Sequence, residues 1–511
     1  MINIYGKKVK IVATLGPASD GKKMIEKLIK NGADVIRLNF SHGDENYFAE
    51  AIKKIRSVSE NTAILIDLPG PKIRTGKLNK DSINLQKGNA IILTNKYTVS
   101  DERKIYIDYP YLCDDIKPKN LVYIDDGKIK LKIVKKLNLN ELEAEILTKG
   151  VLKAEKGINF PDSKLSIPSV TENDKKFLKF GAEYGADMFA ISFVRSSEDI
   201  TSVKKLLKDE YPSKKFLIVA KIEKMEAVKN IDKIAAAADA LMVARGDLGV
   251  EAPIENIPIE QKRIIYVANL YKKPVITATQ MLLSMVENET PTRAEVTDIS
   301  NAIFDGTDAV MLSEETAIGK YPDETVAYMS KIIKATEKSR MFSGGGYSGY
   351  KSRASYLRHD GGIGIGYLER RSIECDDKVK IKKNADDISD IIAETASTAS
   401  GLLDNCIIAA ITRSGYTANL ISSFKPPVPI VAVVPDDSAK RRLSLNYGVS
   451  CITMKNITDK NIDLQDVIDL IKNEIKKSGH KCPDYAVITG GVPIGEPGST
   501  DFVKIVKLCA D

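Results

Sequence analysis

The sequence predicts a (β/α)8 barrel that carries two further domains, and three observations lead there. Eight short apolar runs recur, at residues 9–15, 35–41, 63–68, 188–194, 216–223, 240–247, 274–282 and 309–316. Most are separated by amphipathic stretches of helical length, and apolar runs alternating with helices mark parallel strands buried on both faces. Almost every run ends in a polar residue, and in a closed (β/α)8 barrel the C-terminal strand ends line the active site. Arg37, Asn39, Ser41, Asp67, Lys221, Glu223, Asp247, Thr279, Ser313 and Glu315 fall at such ends. The barrel is expected to gather them into one mouth.

The barrel, residues 1–68 and 164–340, is interrupted once. After Asp67-Leu68-Pro69-Gly70-Pro71, about a hundred residues pass before the next barrel-type helix, far more than a βα loop needs. Residues 69–163 read as a small β domain, with strands at 89–94, 121–125, 128–134 and 141–147. Asp126-Gly127 between two of them is a hairpin signal. Set at the barrel mouth, such a cap is expected to close over a substrate and exclude water. A last helix over 322–338 ends the barrel, and the Gly-rich start of 341–384 marks a linker or insertion. Residues 385–511 form a separate α/β domain, with a helix at 385–403 and strands at 406–412, 430–435, 450–454, 485–489 and 503–508.

A chain of 511 residues exceeds what one core supports. Its 43% hydrophobic and 28% charged residues are those of an ordinary globular protein. The net charge of +7 comes from lysines spread along the chain, which suits anionic substrates. With no Trp and no basic–aromatic stripe, a nucleic-acid partner is not expected. The six cysteines, Cys113, Cys375, Cys406, Cys451, Cys482 and Cys509, form no C-x-x-C pair and no zinc spacing. They read as free thiols in a reducing cytoplasm. No apolar run reaches membrane-spanning length, and the N-terminus enters a strand at once, leaving no room for a signal peptide. A cytoplasmic protein is expected. With only three histidines, His42, His359 and His480, acid–base chemistry must rest on carboxylates, Lys, Thr or water.

The sharpest local signal is Lys221-Ile222-Glu223. Side chains two apart on a strand face the same way, so both charged groups enter the mouth. One βα unit later comes Ala244-Arg245-Gly246-Asp247-Leu248-Gly249, which sets Asp247 beside Glu223. Two carboxylates suit Mg2+, a hard cation that keeps several waters, with Mn2+ as a substitute. The plainer alternative is a Lys221–Glu223 salt bridge with Asp247 as a helix cap. The Gly246 turn offers backbone N–H groups to an anion, and Thr279 adds a hydroxyl. Arg37, Asn39 and Ser41 share a face by period two. Arg37 suits a phosphoryl oxygen. Asn39, Ser41 and Asp67 offer oxygens to a monovalent cation, although each alone more often serves strand-end backbone. Arg74 adds positive charge near the hinge. There is no G-x-x-x-x-G-K-[ST] loop, yet phosphoryl transfer also works through positioning, metal and positive charge.

These motifs together resemble the pyruvate kinase family. The matching segments are Thr14-Leu15-Gly16-Pro17-Ala18-Ser19, Arg37-Leu38-Asn39-Phe40-Ser41-His42-Gly43, Gly70-Pro71-Lys72-Ile73-Arg74-Thr75-Gly76, Ser192-Phe193-Val194-Arg195, Lys221-Ile222-Glu223, Ala244-Arg245-Gly246-Asp247-Leu248-Gly249, Thr279-Gln280-Met281-Leu282, Pro291-Thr292-Arg293-Ala294-Glu295 and Leu312-Ser313-Glu314-Glu315-Thr316. The resemblance is strong over residues 7–340 and looser in the C-terminal domain. It implies a (β/α)8 barrel with an inserted small β-barrel cap and a C-terminal α/β domain. The implied reaction, the last step of glycolysis, moves the phosphoryl group of phosphoenolpyruvate to ADP, giving ATP and pyruvate. By resemblance Glu223 and Asp247 hold Mg2+, and Lys221 stabilises the transferring phosphoryl and the enolate. Arg37 contacts the phosphoryl group, while Gly246, Asp247 and Thr279 hold the substrate. Thr279, Ser313 and Glu315 serve the proton relay, and Asn39, Arg74 and Lys156 meet the nucleotide. Asn39, Ser41, Asp67 and Leu68 match the monovalent-cation pocket. Thr412, Arg413, Ser414, Gly415 and Thr417 match an effector turn for a phosphorylated ligand, which the loop 493–499 closes over. Family members assemble as homotetramers.

Three departures stand out. Lys72 occupies a position where potassium-dependent members carry Glu, so weak or absent potassium dependence is expected. Glu314 replaces a common Gly beside Ser313 and Glu315. The stretch to Lys383 has no counterpart in the family pattern. Two other readings compete: a Mg2+-dependent aldolase or lyase acting on pyruvate-like acids, and a non-catalytic effector-binding protein. A lyase does not need Lys221 or a cap, and a sensor would be expected to lose Lys221, Glu223 or Asp247.

Overall fold

The structure is a computed structural model describing residues 6–161, 163–339, 388–457, 463–492 and 500–509. The stretch 341–384 and the loop 493–499 lie outside these residues. By compactness the chain divides into two units, Val9–Glu337 with Ser444–Tyr447, and the remainder.

The first unit opens with β1 (Lys10–Leu15), β2 (Val35–Asn39) and β3 (Ala63–Asp67). It continues through β4 (Ile83–Leu85), β5 (Ala90–Thr94), β6 (Lys104–Tyr106), β7 (Leu121–Ile124), β8 (Ile129–Lys136), β9 (Glu141–Ile146), β10 (Gly150–Leu152) and β11 (Ile158–Asn159). The barrel then resumes with β12 (Met188–Ile191), β13 (Leu217–Ile222), β14 (Ala240–Ala244), β15 (Val275–Ala278) and β16 (Ala309–Leu312). Strands β1–β3 and β12–β16 close into one barrel, ordered β1-β16-β15-β14-β13-β12-β3-β2. The ladder is parallel throughout, and Lys10 opposite Ala309 seals it. Val12, Leu65, Met188, Val219, Met242, Ile276 and Met311 belong to one core cluster. Their strand neighbours Ile11, Ile64, Phe189 and Ile218 are buried as well. Burial on both faces explains why these strands read as continuous apolar runs rather than as alternation.

The inserted strands obey the other pattern. A six-stranded sheet, β11-β7-β8-β9-β5-β6, and a β10-β4 pair enclose a separate apolar core containing Leu93, Val122, Leu131 and Leu142. Along β8, Ile129, Leu131 and Ile133 are buried while Lys130 and Lys132 are exposed, as period two demands with one face in water. Each such buried Ile or Leu contributes about 1.5–3 kcal/mol. The β7–β8 hairpin forms at the predicted place. Its turn is longer than the dipeptide signal suggests, with Asp125, Asp126 and Gly127 all at positive φ.

In the other unit a helix, Ile388–Ser400, precedes β17 (Cys406–Ile411), β18 (Ile430–Val434), β19 (Val449–Thr453), β20 (Tyr485–Gly490) and β21 (Phe502–Lys507). Their order is β19-β18-β17-β20-β21, parallel except for β21. One expectation fails here: Cys482 and Cys509 are not free thiols but form a disulfide. The antiparallel register that pairs Tyr485 with Lys507 brings the two cysteines together just beyond the ladder. Cys113, Cys406 and Cys451 are free and buried. Among the described residues no helix is long and apolar enough to cross a membrane.

Candidate active site

Three barrel strands deliver a chain of buried charges to one point. Arg37 on β2 donates from Nε to Oδ2 of Asp67, the last residue of β3, at 2.7 Å, and from Nη1 to Thr14 Oγ1 at 2.9 Å. Lys221 on β13 sets its Nζ 3.0 Å from Asp67 Oδ1 and 2.8 Å from Glu223 Oε1. It also donates to Ser192 Oγ at 2.7 Å, and Ser192 in turn donates to the Leu68 carbonyl at 2.6 Å. Glu223 Oε2 accepts the Phe193 N–H at 2.7 Å. Asp67 and Glu223 are each 1% exposed. Charges this deep persist only when paired and hydrogen-bonded.

The electrostatics follow from burial and neighbours. Burial works to raise Asp67, but Lys221 and Arg37 outweigh it and hold the carboxyl below its usual range. Burial works to lower Lys221, but Asp67 and Glu223 outweigh it and keep the ammonium charged. Glu223 goes the other way: burial, with Asp247 adding to it, overcomes Lys221 and pushes the carboxyl up to about 7. A desolvated carboxylate beside a second acid is short of positive charge, and a divalent cation would supply it. Two carboxylates leave coordination positions for water and substrate oxygens.

The strands end earlier than their apolar runs suggest. Ser41 lies past β2 in an exposed turn, its N–H donating to Asn39 Oδ1 at 3.2 Å, so it does not continue the face of Arg37. Asp247 sits in the first turn of the helix Arg245–Glu251. The Gly246 N–H is engaged by Thr279 Oγ1 at 2.9 Å, and Thr279 Oγ1 donates to the Ala278 carbonyl at 2.7 Å. Thr279 and Gln280 adopt positive φ of 71° and 54°, which for a β-branched residue stores about 1–3 kcal/mol of strain. Arg245 holds this bend, donating to the carbonyls of Ala278 (3.1 Å) and Thr279 (2.6 Å) while paired with Asp298 at 2.7 Å. Glu315 is buried and accepts the backbone N–H groups of Ser313 (2.6 Å) and Leu282 (3.1 Å). Burial raises its carboxyl, and the charge of exposed Glu314 adds to the effect. Among the described residues no hydrogen bond joins the Thr279 hydroxyl to Ser313 or Glu315.

The cap approaches through two connections. Gly70, at φ 66°, gives its N–H to Asp174 at 3.1 Å. A Cβ on Gly70 would stand 2.9 Å from the Phe193 ring. In the return connection Arg195 donates to the carbonyls of Leu165 (2.5 Å) and Ile167 (2.9 Å) and to Ser169 Oγ (3.1 Å). Arg74 and Lys156 come together on the cap side. Arg74 bridges to Gly157 and donates to the Glu155 carbonyl, while Lys156 pairs with Asp125 at 3.1 Å. Asn39 ends β2 on the barrel side. Lys72 is exposed and lines the cleft between cap and barrel with Asn159, Phe193, Arg195, Lys224 and Asp247.

In the C-terminal unit Thr412 Oγ1 accepts the Gly415 N–H at 3.0 Å, and Gly415 is at φ 93°. Ser414 Oγ accepts the Tyr416 N–H at 3.3 Å, and the Thr417 and Thr500 hydroxyls are 2.8 Å apart. Arg413 is exposed. Sequence reasoning assigns no role to Thr14, Ser192, Arg195 or Arg245. Thr14 and Ser192 lie within the quoted motifs, but nothing local shows which buried cation each hydroxyl meets.

The family model described as "Pyruvate kinase, barrel domain" matches residues 6–326, and "Pyruvate kinase, alpha/beta domain" matches residues 390–506. A pyruvate kinase of Thermococcus litoralis is 41% identical over 506 residues, covering 98% of both chains. One from Geobacillus stearothermophilus is 39% identical over 98% of this chain and 80% of its own length. The crystal structure of a pyruvate kinase from Cryptosporidium parvum superposes with a TM-score of 0.84 at 28% identity, covering 98% of this chain and 96% of that one. Nothing in these findings favours a lyase. With matches to both family domains and relatives along its full length, the chain belongs to the pyruvate kinase family.

Proposed function

We propose that the buried Arg37–Asp67–Lys221–Glu223 chain, with Asp247 and Thr279, carries the family's reaction, phosphoryl transfer from phosphoenolpyruvate to ADP with release of pyruvate. The observation that supports this most is Lys221, an ammonium withdrawn from water yet kept charged between Asp67 and Glu223. Such a fixed cation stabilises charge where it develops without reorganisation. Lys221 and Arg37 meet the transferring phosphoryl group. Its bond to the enol oxygen breaks and a bond to the terminal oxygen of ADP forms. The enolate left behind takes a proton at its methylene carbon to give pyruvate. Thr279, with Ser313 and Glu315, serves that proton step, and the Gly246–Asp247 turn orients the substrate carboxylate. Arg74 and Lys156 on the cap side, with Asn39 on the barrel side, meet the nucleotide as the cap closes.

The family works with Mg2+ and K+. Glu223 and Asp247 would hold the divalent ion, Mg2+ or Mn2+, whose positive charge polarises the phosphoryl oxygens. Asn39, Ser41, Asp67 and Leu68 form the monovalent-cation pocket. Asp67 already answers to two cations, Arg37 and Lys221. With Lys72 adding a third positive group at the cleft, potassium dependence is weak. The turn Thr412–Thr417 binds a phosphorylated effector, and the enzyme works in the cytoplasm as a homotetramer. Pyruvate formation should proceed in potassium-free, sodium-free buffer with Mg2+, whereas Lys72→Glu should create a potassium requirement. Strict potassium dependence of the wild type would refute the Lys72 reading. Glu223→Gln should raise the Mg2+ requirement at least about tenfold; an unchanged requirement would refute the metal assignment.

A further inference from the structure

Next to each acid of the proposed cation pair stands a residue that the reaction does not use. Lys224 follows Glu223 directly, and Glu251 stands one turn after Asp247 on the helix Arg245–Glu251. The two form an ion pair, Lys224 Nζ to Glu251 Oε1 at 3.0 Å, with side chains only 11% and 3% exposed. Asn159 donates its Nδ2–H to the same Oε1 at 3.2 Å. Asn159 belongs to β11 and pairs there with Tyr123 of β7, so it is part of the cap sheet. One residue before Glu251, Val250 Cγ1 lies 3.7 Å from the Cβ position of Gly127, in the turn of the cap hairpin. The seven-residue helix that carries Asp247 therefore meets the cap at two successive positions.

We propose that Lys224, Glu251 and Asn159 act as positioning residues: a latch that fixes Glu223 against Asp247 and does so fully only when the cap is down. The inference rests on the reading of Glu223 and Asp247 as the cation pair. An exposed ion pair would carry little weight. This one is withdrawn from water, where both members are needed and loss of either is costly. Linking the neighbours of two acids restrains the backbone segments that carry them, and partners outside the ligand set commonly govern metal affinity. Lifting the cap withdraws Asn159 and the hairpin, leaving Lys224 to hold Glu251 at the end of a helix whose start stays bound to the barrel through Arg245 and Gly246.

The test is a titration of the substrate-free protein with Mn2+, reading free ion by its electron spin resonance, with a thermal melt of each variant. Lys224→Met and Asn159→Ala should each weaken Mn2+ binding by about tenfold, and Lys224→Arg should restore most of the loss. The losses from Asn159→Ala and Glu251→Gln should combine to less than their sum, because both groups act through one oxygen. Among the described residues Asn159 makes no hydrogen bond to either acid, so weaker Mn2+ binding at an unchanged melting temperature marks positioning and not lost fold. Should Lys224→Met fail to fold, Asn159→Ala alone decides. Wild-type Mn2+ affinity in Asn159→Ala, with Glu223→Gln impaired, would overturn the latch and leave the cation pair standing. Wild-type affinity in Glu223→Gln would overturn the pair, and the latch with it.

Discussion

The barrel mouth and the C-terminal turn Thr412–Thr417, the two places proposed above to receive phosphate, are held together by opposite means. At the mouth, Asp67, Lys221 and Glu223 are buried charges whose protonation each neighbour moves. At the turn, Thr412, Ser414 and Thr417 engage through neutral hydroxyls and backbone, and the one charged side chain, Arg413, faces solvent. Buried charge is costly to assemble and strong once assembled, which suits a centre where charge must be stabilised during reaction. A neutral turn is stable without its ligand and gains from an anion only when one arrives. The sheet next to that turn is closed covalently, by Cys482–Cys509, where the mouth relies on ions.

Removing a buried charge should break this contrast most severely. Asp67→Ala leaves Arg37 and Lys221 facing each other in the barrel wall and should cost about 3–5 kcal/mol of stability. A shift in the denaturant midpoint measures it, and a loss below that of Thr417→Val would reverse the comparison. Cys482→Ser should cost about 2–4 kcal/mol. The wild type, denatured without reductant, should show two fewer titratable thiols than the reduced chain; a full count of six would remove the staple. Glu315 sharpens the picture through pH. Burial raises its carboxyl above the usual 4.5, so the native state keeps a proton that the unfolded chain has lost. Stability therefore falls as pH rises above 4.5 towards the raised value, by at most about 1.4 kcal/mol per pH unit. Glu315→Gln should flatten that slope, and an unaltered slope in the variant would assign it elsewhere. The smallest effect is Thr417→Val, about 1 kcal/mol for one hydroxyl contact with Thr500.

Much of this architecture is legible in the sequence, and the reasons are local. Eight apolar runs announce eight parallel strands because both faces of each are buried, and Lys221-Ile222-Glu223 announces its geometry through period two. What escapes is set by backbone bends and long-range pairing. The apolar pattern does not mark where a strand stops, so it carries Ser41 and Asp247 onto strands that end before them. The left-handed backbone of Thr279 has no sequence signal, since Thr rarely adopts it. Arg195 and Arg245 give no sign of holding the cap connection and the Thr279 bend, because a long side chain after a strand can reach many partners. Cys482 and Cys509 lie 27 residues apart and meet only through the β20–β21 register.

The most direct test of the buried ammonium's role is turnover of phosphoenolpyruvate and ADP, with Mg2+, by the wild type and by Lys221→Met. The expected result is pyruvate formation by the wild type and a kcat lowered by about 10^3-fold in the variant, with the variant still folded. A folded Lys221→Met protein that turns over at the wild-type rate would contradict that role, because the buried ammonium would then be a structural counter-ion and not the group that stabilises the transfer.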